Sequence, residues 1–296
     1  MKTPCQRIES SIIKKFRKEI WRPFVRGMQE FQMVKAGDRV AVCISGGKDS
    51  MLLAKCMQEI LRHGNVEFEL KFLVMDPGYH PDNRRMIEEN ARLMEIPIEI
   101  MESDIFDAVV DVEDNPCYLC ARMRRGNLYA NARELGCNKI ALGHHFDDVI
   151  ETILMSMLYG AQINTMMPKL HSTNFQGMEL IRPLYLVKEA DILAWKEYNQ
   201  LQFLQCACRF TEESSRRQNE ELSKRKEMKK LIGEFRKTSP YIDMNIFRSV
   251  ENVNTDACIG YIRRGRAPSF PGGILRRTPS YIFVKQRLWK GVVAFL

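Results

Sequence analysis

Long apolar runs are missing from this chain of 296 residues. None approaches the roughly 20 residues needed to cross a bilayer. The opening Met1-Lys2-Thr3-Pro4-Cys5-Gln6-Arg7 also lacks the apolar core of a secretory signal. The expectation is a cytoplasmic protein with no membrane association. Two phosphate-loop signatures are missing as well. The Walker pattern would put Gly at 42 and Ser or Thr at 49, where this chain has Val42 and Asp49. The dinucleotide fingerprint G-x-G-x-x-G is absent too. Acidic residues are in deficit, 37 against 45 basic ones, and the net charge of +8 favours a polyanionic partner.

Cysteine is not scarce. Nine cysteines in a chain of this type argue against disulfides and for metal or redox chemistry. Cys117 and Cys120 sit in Pro116-Cys117-Tyr118-Leu119-Cys120, a turn into a helix, where both sulfurs can reach one metal and the helix end favours thiolate. A second close pair is Cys206 and Cys208. Two pairs allow a four-sulfur zinc site, but structural zinc pairs usually have two intervening residues and here only Ala207 intervenes. Three thiolates on an iron–sulfur cluster with one open iron are therefore favoured, with zinc as the alternative. Cys43, Cys56 and Cys137 read as small core residues. Cys5 and Cys258 follow no pattern.

Ser45-Gly46-Gly47-Lys48-Asp49-Ser50 carries the strongest chemical signal. Arg39–Ile44 before it reads as a buried parallel strand, and Met51–Met57 after it as a helix. Two glycines at a strand-to-helix turn let backbone approach an anion, and the helix start offers open N–H groups and a positive dipole end. A plain Gly-Gly turn capped by Ser and Asp is the bland alternative.

From residue 38 onward, strand and helix patterns alternate. Strands are expected over 66–76, 98–101, 139–143 and 178–186, with helices over 81–94, 119–135, 147–159 and 188–200. The fold class is α/β, a mostly parallel sheet with helices on both faces. Ligands of such sheets collect at the carboxyl ends of strands. The polar stretches falling there are 45–50, Asp76, 102–117 and 143–148. Gly143-His144-His145-Phe146-Asp147-Asp148 offers two carboxylates that suit Mg²⁺ beside a triphosphate, or that merely cap a helix. The expected organisation is a basic helical segment at 1–36 bent at Pro23, a catalytic domain at 37–210, a basic helical segment at 211–262, and a tail at 263–296 without assigned role. The first segment, with Ile8, Ile12, Phe16 and Ile20 on one face, is either a docking helix or an RNA-contacting arm. The charged run 211–237 is a solvated face or a phosphate-binding surface.

Taken in order, SGGKDS at 45–50, PCYLCARMRRGNLY at 116–129, LGHHFDD at 142–148, PKL at 168–170, IRPL at 181–184 and the loop of Cys206 resemble the tRNA 2-thiocytidine biosynthesis family of PP-loop ATPases. The resemblance covers about residues 35–210. It implies an adenine nucleotide alpha hydrolase-like fold and a sulfurtransferase that adenylates the C2 carbonyl of a cytidine in a tRNA anticodon loop. Sulfur then replaces that oxygen, and AMP and pyrophosphate are released. By motif, Ser45, Gly46, Gly47, Lys48, Asp49 and Ser50 would cradle ATP, aided by Asp76, Gly143 and His144. Asp147 and Asp148 would hold Mg²⁺ or polarise the substrate. Arg124 and Arg125 would lie beside a [4Fe-4S] cluster on Cys117, Cys120 and Cys206. The family usually has two residues between the cysteines of its second pair, so Cys208 remains an alternative third ligand. The implied partners are tRNA and a sulfur donor, such as a cysteine desulfurase or sulfide, and a homodimer is compatible with the reading. The rival readings are a tRNA 2-thiouridine synthetase, a tRNA lysidine synthetase and a non-catalytic metal-containing RNA-binding protein.

Overall fold

The computed structural model describes residues 2–106, 116–204, 220–254 and 257, leaving aside the side chains of 116–118 and 220–223. The expectations for Cys206, Cys208, Cys258 and the tail, and for the Cys117 side chain, lie outside the described residues. The chain divides into two compact units, Met1–Val149 with Met166–Ser223, and Ile150–Thr165 with Lys224–Leu296.

The first unit is built on a six-stranded sheet: β1 (Arg39–Ile44), β2 (Glu69–Asp76), β3 (Ile98–Glu102), β4 (Lys139–Ala141), β5 (Lys169–His171) and β6 (Glu179–Ile181). Their spatial order is β3-β2-β1-β4-β6-β5. All pairs are parallel except the edge pair β5–β6. The order runs outward from β1 in one direction and from β4 in the other, so a crevice opens between their carboxyl ends. Val40, Ala41 and Val42 are wholly buried, as a central strand covered on both faces requires. β6 is shorter than the 178–186 expectation because Pro183 offers no N–H to extend the ladder.

The helices are α1 (Pro4–Ser10), α2 (Arg22–Glu30), α3 (Lys48–His63), α4 (Pro81–Leu93), α5 (Pro116–Glu134), α6 (Phe146–Gly160), α7 (Glu189–Tyr198), α8 (Glu220–Thr238) and α9 (Ile242–Ser249). Between α1 and α2 the chain winds through two wide turns, Ser11–Lys15 and Arg17–Trp21, closed by Phe16 N–H to Ser11 O and Trp21 N–H to Phe16 O. The sequence explains them. Ile8, Ile12, Phe16, Ile20, Phe24 and Met28 are all buried at a strict spacing of four. That spacing drifts off the face of a 3.6-residue turn, and wider turns bring it back. The bend expected at Pro23 is not there. Pro23 sits in the first turn of α2, where its missing N–H costs nothing, and the break falls at Phe16.

In the second unit Arg225 Nε lies 3.6 Å from Glu151 Oε2 and the Lys224 ammonium 5.3 Å from the Tyr159 ring centroid. Arg236 Nε donates to Asp243 Oδ1 at 2.8 Å. Part of the basic run is thus spent on internal contacts, while Lys226, Lys229 and Lys230 are exposed.

Lys139 is buried between two carboxylates, 3.3 Å from Asp38 Oδ2 and bonded to Glu179 Oε2. Burial opposes the Asp38 charge, but Asn138, the Lys35 N–H and Lys139 outweigh it and hold its pKa below the usual value. Glu179 is lowered in the same way, burial being overcome chiefly by Lys139. Depressed folded values mean stability that is complete above the unfolded carboxylate pKa of about 4 and lost as pH falls through the folded ones. Lys139→Met should cost about 3–5 kcal/mol at neutral pH by stranding a buried carboxylate. In thermal melts across pH, the penalty should shrink in acid, where the carboxylates protonate.

Candidate functional site

At the end of β1 the backbone turns through Gly46 at φ +80°, the left-handed region. A Cβ there would stand 2.6 Å from Ile87 Cγ1 and 2.9 Å from Leu204 Cδ1, so the position admits only glycine. Gly47 begins α3 without any side-chain cap. Among the described residues no side chain caps this start, so the first N–H groups of the helix offer an anion cradle. Ser50 Oγ donates to Gly47 O at 3.0 Å and accepts the Ser45 N–H at 3.2 Å, which fixes the loop internally. Lys48 Nζ lies 3.1 Å from Asp49 Oδ2 and 3.3 Å from Glu189 Oε1. Burial works against its charge, yet Asp49 and Glu189 outweigh that and raise its pKa, so it stays an ammonium at neutral pH.

The second polar motif packs directly on this loop. A Cβ at Gly143 would lie 3.0 Å from both Asp49 C and Ser50 N, so glycine is what lets the end of β4 approach. Asp148 Oδ2 accepts the His145 N–H at 3.0 Å and the Asp148 N–H points at His145 Nδ1 at 3.4 Å, a reciprocal cap on α6. His145 Nε2 lies 3.9 Å from Asp49 Oδ1. His145 is thus hydrogen-bonded to Asp148 and only near Asp49. Asp49 Oδ1 is buried without a hydrogen-bond partner among the described residues.

A cavity of about 290 Å³ opens over these groups, lined by Ser45, Asp49, Ser50, Gly143, His144 and Asp148 together with Cys43, Ile44, Met75, Leu142, Arg124 and Leu128. Arg124 and Leu128 come from α5, spaced one turn apart on one face. Arg124 Nη2 also donates to Tyr79 Oη at 3.4 Å. Cys120 stands four residues before Arg124 on the same face, buried and outside any disulfide. Cys43 is different: full burial, with Cys137 adding to it, pushes its pKa up to about 12 and makes it a neutral wall thiol. Cys56 and Cys137 are buried core, as read from the sequence.

The two adjacent aspartates part company. Asp148 lines the cavity, whereas Asp147 Oδ2 accepts the Glu189 N–H at 2.7 Å and fixes the start of α7. Asp76 is likewise engaged: Oδ1 accepts the Gly78 and Tyr79 N–H groups at 2.9 and 2.7 Å, and Oδ2 lies 3.4 Å from Arg84 Nη1. Arg125 is half-buried beside Tyr129 and Arg182 and does not line the cavity.

Three residues escaped the sequence reading as site components. His145 was visible as half of a His pair but carried no sign of which carboxylates it would join. Glu189 lies 141 residues from Lys48, and nothing local announces their pairing. Arg182, from the IRPL stretch, is wholly buried with Nε unpartnered among the described residues and Nη1 donating to Met167 O. Burial lowers its pKa to about 10, against the attraction of Tyr185 and Tyr129, so it remains a cation behind Asp148.

Known proteins resemble this chain. A profile for the PP-loop domain matches residues 20–218. The tRNA-cytidine(32) 2-sulfurtransferase of Coxiella burnetii is 35% identical over 246 residues, covering 81% of this chain and 91% of that one. The protein of the same name from Syntrophotalea carbinolica is 36% identical over 233 residues, 77% and 86% of the two chains. Among solved structures, U34-tRNA thiolase NcsA from Methanococcus maripaludis with its [4Fe-4S] cluster superimposes with a TM-score of 0.63 at 24% identity, over 80% and 79% of the chains; that likeness concerns the fold.

Proposed function

This chain belongs to the PP-loop family of tRNA-thiolating sulfurtransferases that make 2-thiocytidine, and we propose that it adenylates the C2 oxygen of a cytidine in a tRNA anticodon loop and replaces it with sulfur. The observation that carries the reading is the shared cavity. Ser45, Asp49 and Ser50 of the glycine loop line it together with Arg124 of α5, and Cys120 lies one turn from that arginine.

The residues fit the groups required. Uncapped N–H groups at the start of α3, with Ser45, Ser50 and the ammonium of Lys48, suit the phosphates of ATP. The buried, unpartnered Asp49 Oδ1 and the cavity-facing Asp148 suit Mg²⁺, which binds through one or two carboxylates and the phosphates. A [4Fe-4S] cluster held by Cys117, Cys120 and Cys206 would supply an open iron on which sulfur arrives already deprotonated. Leu204 donates its N–H to Gly46 O at 3.2 Å. Cys208 stays the alternative third ligand.

The chemistry falls to these groups in turn. The C2 oxygen of cytidine attacks the α-phosphorus, the bond to the β-phosphate oxygen breaks, and pyrophosphate leaves toward Lys48 and the α3 N–H groups. Sulfur then attacks C2, the C–O bond breaks, and AMP departs with the oxygen. Arg124 stands on the wall where charge develops, and one such preorganised donor is typically worth about 3–4 kcal/mol. A loop base turned out of its stack would reach the cavity. Asp147 keeps its place as a positioning residue, orienting α7 and hence Glu189 against Lys48.

The test is product release. Mixed with ATP, sulfide and tRNA, the purified protein should release AMP and pyrophosphate together with thiolated tRNA. A non-catalytic RNA-binding protein would release neither. A lysidine synthetase would show no need of iron or sulfide.

A further inference from the structure

The basic N-terminal segment forms one side of a second concavity, larger than the first. It measures about 580 Å³ and is lined by Lys2, Arg7, Lys14 and Lys15 from the segment, and by Leu93 and residues 198–201 from α4 and the end of α7. Among the described residues, no carboxylate lines it. All four cations are exposed, and none forms an ion pair among the described residues. Glu9, on the same segment, is already claimed by buried Lys55 and by Arg62, both at 2.7 Å. Tyr198 is 58% exposed, its ring edge set on Phe16 and the Lys15 ammonium 5.8 Å from its centroid. Asn199 and Gln200 add amides to the same wall.

We infer that this groove is a second RNA-binding site, in which the backbone phosphates of the tRNA lie against Arg7, Lys14 and Lys15 while a base or ribose rests on Tyr198. The reading rests on tRNA being the substrate and goes beyond it by naming where the RNA is held away from the reacting base. The cations are spread from Lys2, ahead of α1, through Arg7 within it to Lys14 and Lys15 in the first wide turn, so they form a row and not a single cluster. Such a row matches a polymer of phosphates rather than one phosphate group. An uncompensated cation row beside an exposed aromatic ring is the combination that grips nucleic acid with little regard to sequence. Placement agrees. Glu189, the first residue of α7, touches Lys48 of the glycine loop beside the nucleotide cavity, and Tyr198, its last, is at the groove. The nine steps from one to the other rise about 13–14 Å, about four nucleotides along a strand at about 3.4 Å each. An RNA that presents a base to the cavity therefore still has backbone to lay in the groove.

The experiment measures binding of full-length protein to a tRNA transcript over a salt series. Lys14→Glu/Lys15→Glu and, separately, Arg7→Glu should weaken binding at least about tenfold. The slope of log K against log salt should fall by about 0.9 for each phosphate that is no longer neutralised. Lys14→Arg/Lys15→Arg should keep both near wild type. ATP binding, measured alongside, should be unchanged in every variant; if charge reversal disturbs it, Lys14→Gln/Lys15→Gln replaces the Glu pair. Wild-type affinity and slope in the variants would overturn the groove assignment and leave the thiolation reading standing. A wild-type protein that binds no tRNA would overturn both.

Discussion

Gly46→Ala should lower the rate of pyrophosphate release by at least about 100-fold while leaving the sheet intact. Two effects combine. A non-glycine residue in the left-handed region costs roughly 1–2 kcal/mol, and the new Cβ meets Ile87 and Leu204 at 2.6 and 2.9 Å. The loop or the Ile87 and Leu204 side chains must shift to escape, and a displacement of about 1 Å in a phosphate cradle is enough for a 100-fold loss. Gly126→Ala is the control. Its Cβ would meet nothing within 4 Å, it lies inside α5, and alanine there should be neutral or stabilising by up to about 1 kcal/mol. Steady-state pyrophosphate release and thermal melts of the two variants check the contrast. Equal activity would show that the loop does not hold the nucleotide.

Cys120→Ser has the second large expected effect, and it is selective. Serine cannot supply a thiolate, so bound iron and acid-labile sulfide should fall together in the purified variant. Formation of the thiolated nucleoside should drop by more than the 10–100-fold that loss of a mere supporting partner costs at a metal site. ATP binding at the Gly46–Ser50 loop should persist, because Cys120 does not line the cavity. Cys43→Ser is the counterpart: its buried, neutral thiol should carry no metal, and iron content should stay at the wild-type level. Metal analysis also decides the alternative. Zinc in place of iron in wild-type protein would replace the cluster with a four-sulfur site drawn from Cys117, Cys120, Cys206 and Cys208.

Much of this architecture could be read from local pattern. The run Arg39–Ile44 is continuous, apolar and β-branched, and it forms β1 over those same residues. Pro81 and the helix-forming run after it set α4 as expected, and the Gly-Gly turn stands where an α/β sheet places its ligands. What failed to show was non-local or too short. β5 spans three residues, largely exposed, and three residues give no periodicity. The break at Phe16 rather than Pro23 follows from six apolar residues keeping a spacing of four, a signal spread over twenty positions. In the site, the partners of an individual carboxylate were beyond the sequence. Asp147 and Asp148 are neighbours of the same type, and only the packing of α7 against the start of α6 sends one to the Glu189 N–H and leaves the other at the cavity. Glu189 and Arg182 joined the site through β6 and the turn after it, whose position depends on sheet order.

The central claim is that one cavity couples a nucleotide to sulfur delivery onto a cytidine. Nucleoside mass spectrometry of tRNA from cells with and without the gene addresses it directly. The account predicts that 2-thiocytidine disappears without the gene and returns with the wild-type copy but not with Cys120→Ser. Unchanged 2-thiocytidine, or loss of 2-thiouridine alone, would contradict it.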